Sequence, residues 1–257
     1  MKVAEFIQFL KDLGCGWASE NGLRYGDAHA DVKGVMVCWM CTTEAIRVAA
    51  ERGFNVILCH EDMLFPPSYA GGGTDHLAGP INARRLALLG RLGINVIRAH
   101  GPLDKFCILD DFANRLGLKQ PRVRDVDAYI RIFDVEPVPF AQMIARTKDL
   151  LHLGSVRYWA PPDHITRIIG LPWGGLGLSI NAGFIQRLLE YKPDTLIAGE
   201  CDEYAFYALQ DAGVAIIETG HATSENPGLE HFAEHVKSCF PGLEVIFYRN
   251  CEPFRIG

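Results

Sequence analysis

Three stretches of the sequence share one pattern: GFNVILCH at residues 53–60, GINVIRAH at 93–100 and GVAIIETGH at 213–221. In each, a glycine closes a helical pattern, an apolar run follows, and a histidine stands where the run stops. Short β-branched runs that alternate with helical patterns of ten or more residues are typical of parallel βαβ units. The pattern therefore predicts an α/β fold in which histidines lie at the ends of strands.

The alternation continues outward from these stretches along most of the chain. It predicts strands at 34–39, 54–59, 94–99, 128–133, 155–159, 166–170, 195–198, 214–218 and 244–248. It predicts helices at 2–13, 42–52, 80–92, 107–116, 138–150, 179–191, 202–212 and 228–239. The region from about 121 to 175 is richer in strands and proline. We therefore expect a first α/β domain at residues 1–120 plus 222–257 and a second at 121–221, giving two related halves with mixed or parallel sheets flanked by helices.

Composition narrows the class of protein. The chain has 257 residues, 49% of them apolar and 22% charged, with a formal net charge of −6. This charge argues against a general nucleic-acid binder or a protein of anionic membrane surfaces. No run approaches the ~20 apolar residues of a membrane span. The N-terminus has the pattern of an amphipathic helix and not of a signal peptide. The eight cysteines are therefore expected to be free thiols in a reducing cytoplasm.

The strand-end histidines carry the prediction about chemistry. Ligands of open α/β sheets bind beyond the carboxyl ends of the strands, where His60, His100 and His221 are predicted to stand. Two of them are followed four residues later by a carboxylate, Asp104 and Glu225. Imidazole with carboxylate is the ligand set of catalytic zinc, manganese or iron. We therefore predict a divalent-metal site. The alternative, histidines that only bond the backbone at sheet edges, leaves the repeated carboxylate unexplained.

Several other motifs leave two interpretations open. Glu200 closes a further predicted strand, either as a general base or orienting group, or as an acid placed against a helix dipole. PWGGLG at 172–177 is either an anion-binding turn or a tight strand-to-helix connection. GGGTDH at 71–76 is either a mobile lid or phosphate contact near the site, or only a flexible connector. Cys38 and Cys41 are interpreted as buried thiols, because positions three apart on a strand face opposite sides.

These motifs together resemble the GTP cyclohydrolase I type 2, or Nif-three-like, family. The resemblance rests on the strand that ends at Cys59 and His60, on HGPLD at 100–104, on DTLIAGE at 194–200 and on GHATSE at 220–225. Their order and spacing extend along nearly the whole chain. The resemblance implies a two-metal centre formed by two related α/β halves, often in a ring of six subunits.

The resemblance also implies a role for each residue. His60 and Asp104 would hold one metal, His221 and residue 59 the other, and Glu225 would bridge the two. His100 would lie beside the site. The family has two consecutive histidines where this chain has Cys59 and His60. A thiolate is a good zinc or iron ligand. Strand alternation, however, points neighbouring side chains to opposite faces, so the second metal is either kept with a changed preference or lost.

The sequence thus predicts a metal-dependent hydrolase with one or two zinc, iron or manganese ions. Glu200 or Glu203 is the expected proton acceptor, and His100 or His76 the group near the leaving group. The resemblance implies a nucleotide substrate, a purine ring opened with loss of formate, and a homo-oligomer. Two alternatives stay open: a non-enzymatic metal-binding or regulatory protein, which Cys59 and the other thiols would suit, and a ring protein whose metal assists assembly.

Overall fold

Two β-sheets, each flanked by helices, organise the protein in the computed structural model, which describes residues 1–65, 79–250 and 253–254. The strands are β1 (Gly22–Tyr25), β2 (Val35–Cys38), β3 (Val56–Cys59), β4 (Asn95–Arg98), β5 (Val123–Asp125), β6 (Ile130–Pro139), β7 (Arg157–Trp159), β8 (Ile165–Gly170), β9 (Thr195–Ala198), β10 (Ala215–Glu218) and β11 (Val245–Tyr248). The helices are α1 (Val3–Asp12), α2 (Thr43–Glu51), α3 (Pro80–Leu92), α4 (Gly101–Leu103), α5 (Leu109–Arg115), α6 (Phe140–Leu151), α7 (Ala182–Glu190), α8 (Glu203–Asp211) and α9 (His221–Cys239). A π-helical turn, Asp104–Ile108, joins α4 to α5, and a 3-10 turn, Ser179–Asn181, precedes α7.

The chain forms two units, each with its own sheet. Of the described residues, the first unit comprises 1–65, 79–107 and 228–250, and the second comprises 108–227 and 253–254. The sequence predicts these divisions near residues 120 and 221. In the structure the first division falls inside the helical segment 104–115. That segment contains neither glycine nor proline to mark it.

The first unit contains a five-stranded sheet in the order β1-β4-β3-β2-β11. Strands β11, β2, β3 and β4 run parallel, and β1 pairs antiparallel with β4. Every residue of β2, β3 and β4 is buried, because helices cover a sheet built from such apolar runs. Thr42 caps α2 by accepting a hydrogen bond from the Ala45 N–H at 3.2 Å. The predicted strands at 34–39, 54–59, 94–99 and 244–248 are confirmed.

The second unit contains a six-stranded mixed sheet in the order β5-β6-β8-β9-β10-β7. Strands β8, β9 and β10 are parallel, whereas β5, β6 and β7 pair antiparallel with their neighbours. Its core includes Ile132, Leu188, Leu196, Leu209 and Ile216. The two sheets with their helices confirm the predicted α/β class.

Helix α9 differs from the prediction in a way that matters for function. The sequence predicts its start at residue 228, after Pro227, because proline usually stands in the first turn of a helix. In the structure the helix already begins at His221, and Pro227 lies inside it. His221 and Glu225 are therefore one helical turn apart.

Among the described residues, no helix combines the length and apolarity needed to span a membrane.

Candidate metal-binding site

In the first unit, two neighbouring strands bring His60 and His100 to the same edge of the sheet. Strands β3 and β4 run parallel, with Cys59 opposite Arg98, so the residues that follow them leave the sheet together. The imidazole rings of His60 and His100 have their centroids 4.7 Å apart. His60 is fully buried, whereas the His100 side chain is 31% exposed. The convergence predicted from the strand ends is thus present within this unit.

His60 contacts one oxygen with each ring nitrogen. Its Nδ1 lies 3.2 Å from the carbonyl oxygen of Ala99, which can only accept a hydrogen bond. The proton of a neutral ring therefore sits on Nδ1, and the lone pair sits on Nε2. Nε2 lies 3.3 Å from Oδ1 of Asp104. A backbone carbonyl that holds Nδ1–H while Nε2 faces a ligand is the usual arrangement around metal-bound histidines.

His100 shows the same arrangement with two glutamates. Its Nδ1 lies 3.2 Å from Oε1 of Glu20, and its Nε2 lies 3.4 Å from Oε1 of Glu61. Burial lowers the pKa of His100, but its hydrogen bonds with Glu20 and Glu61 outweigh that effect and raise the pKa to about 9. Without an ion the ring is therefore protonated at neutral pH. A metal bound at Nε2 would take the place of that proton.

In the second unit, strands β9 and β10 bring together Glu200 and His221. These strands are parallel neighbours, so the residues that follow them lie at one edge of the sheet. Nδ1 of His221 lies 3.0 Å from Oε2 of Glu200, and Nε2 lies 3.3 Å from Oε1 of Glu225. Glu225 is buried, whereas the Glu200 side chain is 46% exposed. Glu200 is thus the carboxylate that contacts Nδ1 of His221, and Glu225 the one that contacts Nε2.

The distances at the three Nε2 atoms fit metal ligation. Ordinary N–H···O hydrogen bonds measure about 2.7–3.2 Å. Two ligand atoms on one ion, each at about 2.0–2.2 Å and separated by an angle of 90–110°, lie about 2.8–3.6 Å apart. The three Nε2-to-carboxylate distances are 3.3, 3.4 and 3.3 Å. The donor set, imidazole with carboxylate, suits zinc, iron or manganese. These residues therefore fit a divalent ion.

Glu20 and Glu61 are site residues that sequence reasoning does not identify. His60, Glu61 and His100 each offer one ligand atom, and these atoms lie within 4.8 Å of one another. Glu61 directly follows His60, so the end of a buried strand was the signal that would have identified it. Glu20 precedes β1, and its contact with His100 spans 80 positions. No local pattern marks a contact of that separation.

Cys59 does not lie with these groups. It is the last residue of β3, fully buried in the hydrophobic core of the first unit with Met36, Cys38 and Cys41. Its Sγ contacts the carbonyl oxygen of Ile97 at 3.5 Å. Burial raises the pKa of the Cys59 thiol to about 12, which opposes the thiolate that a metal needs. Strand alternation turns Cys59 into the core and leaves the edge to His60.

A buried arginine contacts the backbone of His60 and the carboxylates of Glu20 and Glu61 in the first unit. Arg98 is the last residue of β4, and its side chain is 1% exposed. Its Nε donates to the carbonyl oxygen of His60 at 3.1 Å, and its Nη1 lies 3.4 Å from Oε2 of Glu20. Nη2 lies 3.8 Å from Oε2 of Glu61. Arg98 thus balances the charge of two glutamates and holds the backbone that carries His60.

The remaining sequence motifs have structural explanations where they are described. In PWGGLG, the Gly174 N–H donates to Oγ of Ser224 at 2.8 Å, which supports the tight-turn interpretation. Cys38 and Cys41 are buried, as expected. Glu203 opens α8, with Asp202 as its N-cap, as an acid placed against the helix dipole. The segment 71–76, with His76, lies outside the described residues.

Fold and side chains together define an α/β protein with histidine and carboxylate clusters that can bind a metal ion. The chain belongs to the Duf34/NIF3 (NGG1p interacting factor 3) family, since a sequence model of that family matches residues 1–253. This match confirms the resemblance found in the sequence.

Individual relatives match this chain over most of their lengths. A Nostoc sp. protein described as "GTP cyclohydrolase 1 type 2 homolog" is 26% identical, over 93% of this chain and 92% of its own. A Pyrococcus horikoshii protein with the same description is 25% identical over 90% of each chain. The crystal structure of a Staphylococcus aureus protein has a TM-score of 0.81 at 19% identity, covering 100% of this chain and 99% of that one. A Bacillus cereus protein related to NIF3 has a TM-score of 0.78 at 14% identity, covering 100% of this chain and 99% of its own. Both structures share the fold.

Proposed function

We propose that the protein binds one or two divalent metal ions, zinc, iron or manganese, and acts as a metal-dependent hydrolase. The observation that carries the proposal is the repeated arrangement at His60, His100 and His221. In each, an oxygen atom holds Nδ1 and a carboxylate lies 3.3 or 3.4 Å from Nε2. Hydrogen bonding of histidines to the backbone at strand ends does not explain why a carboxylate lies near Nε2 in all three.

The roles follow from the contacts and from the family resemblance. His60 and Asp104 are proposed as the residues that would hold an ion in the first unit, and His221 and Glu225 as those that would hold one in the second. A divalent ion held by these groups supplies Lewis acidity and lowers the pKa of a water molecule. Glu200 orients His221 and, being half exposed, is also the candidate proton acceptor.

Exposure favours an enzyme over a closed structural site. Structural metal sites are closed by four protein ligands, whereas catalytic sites leave a position open for water or substrate. His60, Asp104 and Glu225 are buried, but the His100 side chain is 31% exposed and that of Glu200 is 46% exposed. A small molecule therefore has polar groups to meet from the solvent side. A non-enzymatic metal-binding or regulatory protein is the alternative.

The first substrate to test is a purine nucleotide. Relatives in Nostoc and Pyrococcus are described as homologues of GTP cyclohydrolase 1 type 2. For this chain we propose hydrolysis of a small molecule, with GTP as the leading candidate and phosphoesters as comparisons. We also propose a homo-oligomer, in the ring of six that the family resemblance implies, working in the cytoplasm. Light scattering on the purified protein measures its subunit number.

Metal content together with turnover tests the function. We expect purified protein to hold at least one equivalent of a transition metal and His60→Ala and His221→Ala to lose it in part or whole. His29→Ala changes an exposed histidine outside these clusters and serves as the matched control. Wild type below about 0.2 equivalents, even after incubation with Zn²⁺, Fe²⁺ or Mn²⁺, contradicts metal binding. Bound metal without turnover of nucleotides or phosphoesters favours the non-enzymatic alternative.

A further inference from the structure

An open cavity of about 600 Å³ lies in the second unit, at the end of the sheet opposite to His221. Its walls are the segment 117–120 after α5, residues 133–138 of β6, and Met143 and Arg146 of α6. These residues of β6 pair with the start of β8, whereas His221 follows the end of β10, in the parallel part of the same sheet. Small-molecule sites typically measure about 300–1,000 Å³. The cavity therefore has the size of a separate binding site.

An irregularity in β6 forms one wall of the cavity. Between its pairs at Asp134 and Val138, the three residues 135–137 stand opposite a single residue of β8. Extra residues in one strand bend it and turn its side chains out of the regular ladder. Within the described part of the chain, β5 pairs with β6 only as far as Ile132. This wall is thus left uncovered on the side of the cavity.

Thr147 is a polar residue on the buried face of α6. The buried residues of this helix, Phe140, Met143, Thr147 and Leu151, follow helical spacing, so a hydroxyl stands where the pattern favours an apolar side chain. A helical threonine often bonds the carbonyl oxygen four residues earlier. Among the residues that the structure describes, however, buried Oγ1 of Thr147 has no hydrogen-bond partner. Because burial of an unpaired hydroxyl costs free energy, this group indicates a partner from outside the chain.

A narrow cleft beside Thr147 shares Leu118, Met143 and Arg146 with the cavity. The other side chains that line the cleft are apolar, namely Leu116, Leu150, Ile169 and Ile197. Methionine is unbranched and adapts its rotamer to irregular gaps. A rotation of Met143 therefore joins the cleft to the cavity and admits an apolar group next to the Thr147 hydroxyl.

The charged groups of the cavity favour an anion. Lys119 and Arg146 are exposed, and neither has a carboxylate partner within the described residues. Of the two carboxylates that line the cavity, Asp134 lies 2.9 Å from Arg122, and Glu136 is the other. Two cations thus face one uncompensated carboxylate, and the lining carries a net positive charge.

We propose that this cavity binds a small amphipathic anion, a molecule with an apolar or aromatic body and a carboxylate or phosphate group. Arg146 and Lys119 bind the anionic group, since guanidinium and ammonium groups recognise both kinds of anion. The body packs against Met143, and a polar atom at its far end bonds the Thr147 hydroxyl. This site goes beyond the proposed function and needs no metal ion.

Isothermal titration with matched probes tests the class of ligand. Para-hydroxyphenylpropionate supplies a carboxylate and para-hydroxyphenethyl phosphate a phosphate on the same aromatic body. We expect at least one to bind with a Kd below about 1 mM, and the arm that binds identifies the anion. Para-hydroxyphenethyl alcohol, acetate and inorganic phosphate lack either the charge or the body and should bind at least about tenfold more weakly. Equal binding of the alcohol or the bare anions, or no probe below about 1 mM, overturns the inference.

Substitutions of the charged residues locate the site. Arg146→Gln and Lys119→Gln each remove one cation, and we expect each to weaken the anionic probes at least about fivefold. Glu136→Gln removes the uncompensated carboxylate and should strengthen them about twofold or more. Arg187→Gln, on the exposed side of α7, is the control. If both cation variants bind within about threefold of wild type, the inference is overturned.

Thr147→Val removes the hydroxyl and keeps the shape of the side chain. We expect it to weaken para-hydroxyphenylpropionate at least about threefold and to leave phenylpropionate, which lacks the hydroxyl, unchanged. The Tm should not fall, because the described residues offer Oγ1 no partner. A lower Tm with equal effects on both probes indicates a structural role and overturns the placement of the ligand at Thr147.

A double variant, His60→Ala with His221→Ala, separates this site from the proposed metal ligands. Carboxylates and phosphates also bind metal ions, so probe binding must be shown to persist without those histidines. We expect the double variant to bind the probes within about threefold of wild type. Loss of probe binding there shows that the anion binds at the metal and overturns the inference. Binding that persists there and falls in Arg146→Gln supports it, whether or not the protein binds metal.

Discussion

Gly174 packs directly against Glu225 in the second unit. A Cβ atom placed on Gly174 would overlap Oε1 of Glu225, the oxygen that lies 3.3 Å from Nε2 of His221. Gly174 also has a φ of +54°, a conformation that glycine adopts without steric cost. The turn at 172–177 therefore needs glycine here for two reasons, and one of them concerns a proposed ligand.

Gly174→Ala should displace the Glu225 carboxylate and weaken metal binding. We expect a loss of metal affinity of at least about tenfold, together with a fall in stability of about 1–3 kcal/mol from overpacking. Titration with metal and urea unfolding of the metal-free protein measure the two effects. Gly154→Ala is the control, since its added Cβ meets no heavy atom within 4 Å. Equal affinities for Gly174→Ala and wild type would show that Glu225 is not a ligand.

Glu200→Ala should weaken metal binding by releasing the ring of His221. Loss of an orienting carboxylate typically costs 10–100-fold in metal affinity. Glu200→Gln keeps an oxygen that accepts from Nδ1–H, and we expect it to restore most of the affinity. Metal titration of both variants tests whether Glu200 orients His221. Turnover by Glu200→Gln tests whether Glu200 is also the proton acceptor. If Glu200 is also the proton acceptor, Glu200→Gln binds metal yet stays inactive, whereas full activity removes that role.

Cys59→Ser should leave metal content unchanged and lower stability. The thiol lies in the core of the first unit, where a hydroxyl is poorly solvated. We expect a loss of about 1–3 kcal/mol in the free energy of unfolding. Elemental analysis gives the metal content, and urea unfolding of the metal-free protein gives the stability. Loss of about one metal equivalent from folded Cys59→Ser would contradict this placement and support the thiolate ligand considered from the sequence.

Asp110→Asn should destabilise the second unit in a pH-dependent way. Oδ1 of Asp110 accepts from Nε of buried Arg131 at 2.7 Å, and Oδ2 accepts from Arg124 at 2.7 Å. Burial raises the pKa of Asp110, but these hydrogen bonds outweigh it and lower the pKa overall. We expect a loss of about 1–2 kcal/mol at neutral pH, since one partner is buried and the carboxylate half exposed.

The direction of that pH effect follows from linkage. A carboxylate whose folded pKa is lowered contributes its stability above its unfolded pKa of about 3.9 and loses it as pH falls through the folded value. The difference in unfolding free energy between wild type and Asp110→Asn should therefore be constant above about pH 5 and shrink below about pH 4. Asp134→Asn, which removes an exposed partner of Arg122, is the control. A difference that grows on acidification contradicts the assignment.

The sequence predicts those parts of the site that repeat locally. Gly53, Gly93 and Gly213 mark where helices end. The apolar runs that follow them, and the histidines at the ends of these runs, can therefore be predicted from the local sequence. His60, His100 and His221 stand where that pattern predicts. The family could also be predicted, because the resemblance rests on the order and spacing of motifs along the chain.

The parts that escape prediction depend on tertiary contacts or on a single position. Glu20 reaches His100 across 80 positions, and no local signal connects them. Strand β3 ends at Cys59 as predicted, but the Cys59 side chain faces the core, so the side chains that reach the edge of the sheet are those of His60 and Glu61. A shift of one residue exchanges the two faces of a strand. Pro227 suggested a helix start, yet α9 continues through it.

Anomalous diffraction from crystals of the metal-loaded protein tests the central claim most directly. Data collected at the zinc, iron and manganese edges identify and count the ions. We predict one or two peaks, with Nε2 atoms of the strand-end histidines His60, His100 or His221 at about 2.0–2.2 Å from an ion. An anomalous map of fully loaded protein with no peak within about 3 Å of any of these three Nε2 atoms would contradict the account.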